Sequence, residues 1–171
     1  SNTSGCGTTI KDYGFIFRGD GELKKKAKKI SELTKDISEY LAQNLKLNFK
    51  NINKNYKIAY HSACSLQHGQ KVHAKPMDLI KKTGNEVVEI PDGHLCCGSA
   101  GTYNMLQAEI AERLLKEKIM NIEKIKPDII STGNIGCITQ ISIGTKIPIL
   151  HTVEIIDWYT GGPKPKILSK L

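Results

Sequence analysis

The chain has 171 residues, which is enough for one domain with a hydrophobic core, or for one such domain and an appendage. Its formal net charge is +8, but all of its 25 basic residues except Arg18 and Arg113 are Lys, and readers of bases or phosphates favour Arg. The composition therefore disfavours nucleic acid as a partner, and favours an acidic protein or an anionic membrane surface over it.

The sequence shows no signal for export or membrane insertion. No apolar run approaches the roughly 20 residues that a membrane-spanning helix requires. The first residues, SNTSGCGTT, have neither the basic start nor the apolar stretch of a signal peptide. We therefore expect a cytoplasmic protein with reduced thiols. The odd number of cysteines, five, fits no closed disulfide framework, so we interpret them as ligands, reactive thiols or core residues.

The first third of the chain is dominated by one helical pattern. Residues 22–44 have the periodicity of a long amphipathic helix, with Lys and Glu between the apolar positions. Those apolar positions are Leu23, Ala27, Ile30, Leu33, Ile37 and Leu41. The Asn-rich residues 44–55 follow, and are typical of a connecting segment.

Beyond residue 55 the pattern changes to short apolar runs that alternate with helical segments. The runs of strand length are residues 56–61, 85–90, 127–132 and 147–152. The helical segments are residues 71–83, 104–125, 135–143 and 153–159. Because strands that alternate with helices form parallel sheets, we predict an α/β fold with a parallel sheet of about four strands and flanking helices.

A short repeat links the two ends of the chain. GCGTTI at residues 5–10 and GCITQI at residues 136–141 share the pattern G-C-x-T-x-I. This predicts that residues 1–55 are the tail of a preceding copy of the domain with its connecting helix, and that residues 56–171 are the domain itself. Cys6 then belongs to the preceding copy.

Four of the five cysteines follow predicted strands. Cys64 comes after the first strand, and the adjacent Cys96 and Cys97 come after the second. Cys137 lies just past the third. Because ligands of open α/β sheets bind outside the carboxyl ends of the strands, we expect the four thiols to meet at one edge of the sheet.

Clustered thiols indicate metal chemistry. Gly98 lets the backbone approach the paired cysteines closely, and the start of the following helix favours a thiolate, the form that binds metals. Four Cys ligands fit an iron–sulfur cluster or a tetrahedral zinc site. Zinc ranks second because structural zinc sites usually use C-x₂₋₄-C pairs, which the chain lacks. Four buried inert cysteines are a further interpretation, and a redox-active disulfide is the least favoured.

Three histidines lie near the cysteines in the sequence. His61 and His68 flank Cys64, and His94 precedes the cysteine pair. Each is a candidate to donate a hydrogen bond to a cluster sulfur or to transfer a proton. For any single one, capping of a strand end is the favoured interpretation.

These motifs resemble a known family. The pattern of Cys64, the CCG triplet that begins at Cys96, and the Gly-Cys pair at Cys137 is similar to the cysteine-rich CCG domain of the B subunit of heterodisulfide reductases. The phrases HSACSLQHGQKV, HLCCGSAGTYNML and NIGCITQISIGT resemble more closely the C-terminal part of the iron–sulfur subunits of bacterial glycolate oxidases.

The resemblance implies an electron-transfer role. It implies a cluster, [4Fe–4S] by expectation, with Cys64, Cys96, Cys97 and Cys137 as its ligands. FAD-bearing partner subunits would oxidise glycolate or another 2-hydroxy acid, and this chain would pass electrons towards an acceptor at the inner face of the membrane. The chain shows no flavin or nicotinamide motif, so we expect it to be inactive alone.

One position departs from the family pattern. The full CCG pattern ends in C-x-x-C, and Asn134 stands where its penultimate Cys would be. We expect four Cys ligands, with Asn134 nearby as a hydrogen-bonding neighbour. The alternative function is a docking or structural module whose cysteines bind zinc or no metal.

Overall fold

The computed structural model describes residues 1–170, and its centre is a four-stranded parallel sheet. The strands are β1 (Lys57–Tyr60), β2 (Glu86–Glu89), β3 (Ile129–Thr132) and β4 (Ile149–His151). Their order across the sheet is β2-β1-β3-β4, and each neighbouring pair is parallel. The predicted α/β fold with a four-stranded parallel sheet is therefore confirmed.

Helices connect the strands and cover both faces of the sheet. In chain order the α-helices are α1 (Ser4–Lys11), α2 (Tyr13–Ile16), α3 (Lys24–Leu33), α4 (Ile37–Asn44), α5 (Ala74–Lys81), α6 (Tyr103–Leu106), α7 (Ala108–Ile125), α8 (Ile135–Gly144) and α9 (Thr152–Thr160). A π-helical turn, Ser65–Gly69, follows β1, and a 3₁₀ turn, Lys166–Lys170, follows α9.

The core has two layers, because successive strand residues point to opposite faces of the sheet. In one layer Ala59 and Ile130 pack with α7 and α8. In the other layer Ile58 and Ile129 pack with α5 and α9. Burying each large aliphatic side chain contributes roughly 1.5–3 kcal/mol, so the two layers hold the central strands firmly in place.

The long helix predicted for residues 22–44 is wrong: two shorter helices, α3 and α4, take its place. The helical run ends at Leu33, where the backbone of Thr34 becomes extended, and the Asp36 side chain then accepts a hydrogen bond of 2.9 Å from the backbone N–H of Ser38. The Glu39 carboxylate in turn accepts one of 3.2 Å from the backbone N–H of Asp36. This capping box starts a new helix, and a capped start is worth about 1 kcal/mol.

The helix predicted for residues 104–125 is also interrupted. The backbone of Gln107 leaves the helical region, with φ −130° and ψ 54°, and separates α6 from α7. The buried face of α7 carries Ala111, Leu115, Ile119 and Ile122, as the periodicity predicts. The predicted apolar position Met105 is exposed on α6.

The N-terminal helix α1 is docked onto the end of the sheet. Ser4 is fully buried, and its backbone N–H donates a hydrogen bond of 3.2 Å to the carbonyl of Gly133, just past β3. Its hydroxyl lies 2.7 Å from the hydroxyl of Ser65, just past β1. The Gln70 side chain also donates to the carbonyl of Ser4, at 2.8 Å. The boundary predicted at residue 55 remains a prediction, but α1 packs directly against the loops of residues 56–171.

Shortening a buried side chain in the central strand β3 tests the core. Ile130 is fully buried in β3, so Ile130→Ala should lower the free energy of unfolding by about 2–5 kcal/mol. Ile143→Ala is the matched control because Ile143 is 72% exposed, and it should change that free energy by about 0.5 kcal/mol or less. Urea denaturation followed by circular dichroism measures both. Equal losses would contradict this two-layer core.

Candidate metal centre

Four thiols converge where the strands end. Cys64 immediately precedes the π-helical turn after β1, and Cys137 lies in the first turn of α8, after β3. Cys96 and Cys97 lie in the loop after β2, next to Gly98. The structure thus brings together the four cysteines that sequence patterns select as candidate ligands.

The sulfur atoms form a continuous row. The thiol of Cys64 lies close enough to that of Cys96 for each to shift the pKa of the other, and Cys96 and Cys97 interact in the same way. Cys97 in turn contacts Cys137. Cys97 and Cys137 are buried, whereas Cys64 and Cys96 are half-buried. One end of the row therefore lies inside the protein and the other end lies nearer to solvent.

Along the row, thiols with a raised pKa alternate with thiols with a lowered pKa. The pKa of Cys96 is lowered because its sulfur has hydrogen-bonding contacts with Cys64 and Cys97, and because the N–H of Gly98 donates to it at 3.3 Å. The pKa of Cys137 is lowered mainly by its contact with Cys97. The same contacts raise the pKa of Cys64 and of Cys97. Two sulfurs therefore favour the thiolate, and their partners keep the proton.

Gly98 holds the cysteine pair against a helix. Its φ is +95°, in the left-handed region that side chains rarely adopt, and a Cβ atom there would collide with the carbonyl oxygen of Ala111 in α7. The turn after Cys97 can therefore approach α7 closely only with glycine. This fixes the backbone that presents both thiols.

Asn134 positions Cys137, and its side-chain amide makes hydrogen bonds to other polar groups. Its side-chain oxygen accepts hydrogen bonds from the backbone N–H groups of Gly136, at 2.8 Å, and of Cys137, at 3.3 Å. Its side-chain nitrogen donates to the hydroxyl of Ser4 at 2.8 Å. Asn134 is thus the N-cap of α8 and lies beside the thiols, but its amide bonds to α1 and α8.

The three candidate histidines lie in different surroundings. His61 is 1% exposed, and its ring lies with Cys97 and Cys137 in a group whose ligand atoms are all within 4.8 Å of one another. His68 is exposed on the π-helical turn. His94 is also exposed and lines a separate pocket. Within the described residues, His61 is therefore the histidine that joins the thiols.

Cys6 also faces the site, which sequence reasoning missed. The docking of α1 places this exposed residue on the rim of the cleft, about 550 Å³ in volume, that the four thiols line. The G-C-x-T-x-I repeat was the available signal, because it matches Cys6 to Cys137. That repeat carries no information on where α1 packs.

A buried lysine is the second residue that sequence reasoning missed. Lys118 of α7 is 1% exposed, and its ammonium donates a hydrogen bond of 3.1 Å to the carbonyl of Asp92. Desolvation lowers the pKa of Lys118, and the nearby thiols oppose that shift. Its place among the buried positions of α7 was a signal in the sequence, since charged residues rarely fall on such a face.

Comparison with known proteins identifies the domain. The family model of the CCG cysteine-rich domain matches residues 58–142, which include all four clustered thiols. The chain carries a cysteine-rich domain of the CCG family. The resemblance inferred from its motifs is confirmed.

Several bacterial proteins are similar in sequence to most of this chain. The glycolate oxidase iron-sulfur subunit of Escherichia coli (strain K12) is 36% identical over 154 residues, which are 90% of this chain and 38% of that protein. Lactate utilization protein A of Anoxybacillus flavithermus is 30% identical over 158 residues, 89% of this chain and 66% of that protein. The same-named protein of Bacillus subtilis (strain 168) is 25% identical over 163 residues, 92% of this chain and 68% of that protein. The chain thus spans between about two fifths and two thirds of these relatives.

In the part of the chain that the structure describes, no helix combines the length and the hydropathy that crossing a bilayer requires.

Removing the cap of α8 should loosen the backbone of Cys137. Asn134→Ala deletes the acceptor for two backbone N–H groups, so we expect a loss of about 1 kcal/mol in the free energy of unfolding. Asn134→Asp keeps an acceptor oxygen at the same place and should lose less. Urea denaturation of the metal-free chain compares the two. A loss as large in Asn134→Asp as in Asn134→Ala would contradict the capping role.

Proposed function

We propose that this chain is part of an iron–sulfur electron-transfer subunit that serves an oxidoreductase acting on a 2-hydroxy acid. The observation that carries the proposal is the row of four thiols at the carboxyl ends of three parallel strands. The relatives support it, because one is named as an iron-sulfur subunit of glycolate oxidase and others are named for lactate utilization.

The residues of the site fit an iron–sulfur cluster. Sulfur donors from separate loops surround one cleft, and thiolates are the ligands that such clusters use. Four thiolates repel one another, so they can lie together only around a positive charge. In the protein alone only two of the four sulfurs, those of Cys96 and Cys137, favour the thiolate form. The ligand set that we propose is Cys64, Cys96, Cys97 and Cys137.

The protein contributes position, shielding and electrostatics to this chemistry. A bound [4Fe–4S] cluster would supply one-electron transfer. Gly98 donates its backbone N–H towards the Cys96 sulfur, and buried Cys97 and Cys137 keep water from one side. The half-buried sulfurs of Cys64 and Cys96 leave the other side nearer to solvent. Electrons would therefore enter or leave most directly through that open side.

The partners and the location belong to the same proposal. Flavin-containing subunits, with FAD as their cofactor, would oxidise glycolate or a related 2-hydroxy acid and reduce this chain. The chain would pass electrons on towards an acceptor at the inner face of the membrane, from the cytoplasm. The net charge of +8 supports contact with an anionic membrane surface or an acidic partner.

Metal and sulfide analysis of the anaerobically reconstituted chain is the first test. We expect bound iron and inorganic sulfide, and we expect Cys97→Ser to lose most of both because Cys97 contacts two other thiols. Ser142→Ala is the control, since Ser142 is exposed towards the far end of α8, away from the cleft, and it should retain the cluster. Zinc without sulfide, or no metal at all, would support the alternative docking or structural module instead.

A test of activity separates electron transfer from substrate oxidation. Within residues 1–171 no flavin or nicotinamide motif is present, so the reconstituted chain should not reduce a dye with glycolate or lactate. Adding the flavoprotein subunits should restore turnover. Dye reduction by the chain alone, free of other subunits, would show that it oxidises the substrate itself.

A further inference from the structure

A histidine with no nitrogen or oxygen partner is buried beside the thiols. His61 is 1% exposed, and within the described residues its ring interacts with the Cys137 sulfur but with no nitrogen or oxygen atom. A buried polar group without a partner costs about 1–3 kcal/mol. Such a cost calls for a reason, because an apolar residue would fill the same space without it.

The sheet fixes the position of this ring. The backbone N–H of His61 donates a hydrogen bond of 2.8 Å to the carbonyl of Ser131, so the pairing of β1 with β3 continues through this residue. The ring is therefore attached to a rigid part of the molecule, between the ends of the two central strands. Cys64, three residues further on, lies on the loop that leaves the same strand.

One ring nitrogen lies close to two of the sulfurs. A ligand atom of His61 and the sulfurs of Cys97 and Cys137 lie within 4.8 Å of one another. Metal–sulfur and metal–nitrogen bonds are about 2.3 and 2.0 Å long, so atoms held by one metal centre lie a few ångströms apart. The His61 ring is thus close to any metal that Cys97 or Cys137 binds.

We propose that His61 is a direct ligand of the metal centre, in addition to the four cysteines. This inference rests on the proposed function, because it assigns one more residue to the same site. The imidazole would take the place of a fifth protein ligand, which Asn134 cannot provide because its amide already bonds to α1 and α8. It would also give one of the orphaned nitrogens a partner.

A neutral nitrogen ligand has a defined effect on the centre. It adds no negative charge, whereas a fifth thiolate would add one. Because histidine in place of cysteine raises the reduction potential of iron–sulfur centres, His61→Cys should lower the potential of the reconstituted chain.

Pulsed electron paramagnetic resonance tests the ligand directly. The chain is labelled with ¹⁵N-histidine, reconstituted anaerobically, and first assayed for iron and sulfide. We expect a strongly coupled nitrogen that changes on labelling, disappears in His61→Gln and His61→Cys, and persists in His68→Gln. His68→Gln is the matched control because His68 is exposed on the adjacent turn. A full complement of iron and sulfide without a bonded histidine nitrogen, or with coupling unchanged in His61→Gln, would overturn the inference.

A second measurement separates this inference from the proposed function. If the chain binds no iron and sulfide, the proposed function fails, and titration of the metal-free chain with Co²⁺ then decides the role of His61. We expect His61→Gln to weaken Co²⁺ binding by more than about 100-fold, beyond the roughly 10–100-fold that the loss of an indirect contact costs, and His68→Gln to leave it unchanged. Equal Co²⁺ affinities in the two variants would overturn the ligand role.

Discussion

The candidate metal centre depends on the point at which the chain reverses its direction across the sheet. From β1 the chain moves outward to β2, and it then returns past β1 to form β3 on the other side. The loops that leave the carboxyl ends of β1 and β3 therefore diverge and open a crevice between them. Cys64 follows one strand and Cys137 follows the other, so each wall of this crevice carries a thiol. Because both strands are buried between helices, the walls are in place before any ligand binds.

Negative charge would accumulate in this crevice if all four thiols lost their protons. Two unit charges 4 Å apart repel each other by about 4 kcal/mol at an effective dielectric constant of 20, so four neighbouring thiolates would be strongly unfavourable. The protein relieves part of this by leaving protons on Cys64 and Cys97. The buried ammonium of Lys118 contributes some positive charge, but it is itself desolvated. A cationic centre that displaces the remaining protons is the arrangement that would make all four sulfurs favourable together.

The sequence allowed the sheet and its thiols to be predicted, but not how the remaining segments pack around them. Cys64 and Cys137 could be placed because buried parallel strands have continuous apolar runs, and residues that follow them must meet at one edge. The helix break at Asp36 was missed because the helical periodicity continues through it, while a local capping box interrupts the backbone. Cys6 was assigned elsewhere because only tertiary docking brings α1 to the cleft. His61 was recognised as a neighbour in sequence, yet its burial without a partner depends on the packing of three loops.

The same packing holds the site from two sides. The side-chain amide of Asn134 and the hydroxyls of Ser4 and Ser65 form a hydrogen-bonded group that links α1, the turn after β1 and the start of α8. This group ties the backbone on either side of the crevice, so Cys137 cannot move without disturbing α1. The loop after β2 is held differently, through Gly98 against α7 and through Lys118 against the carbonyl of Asp92. Two independent sets of contacts thus hold the thiols, and a centre bound between them would be constrained from both sides.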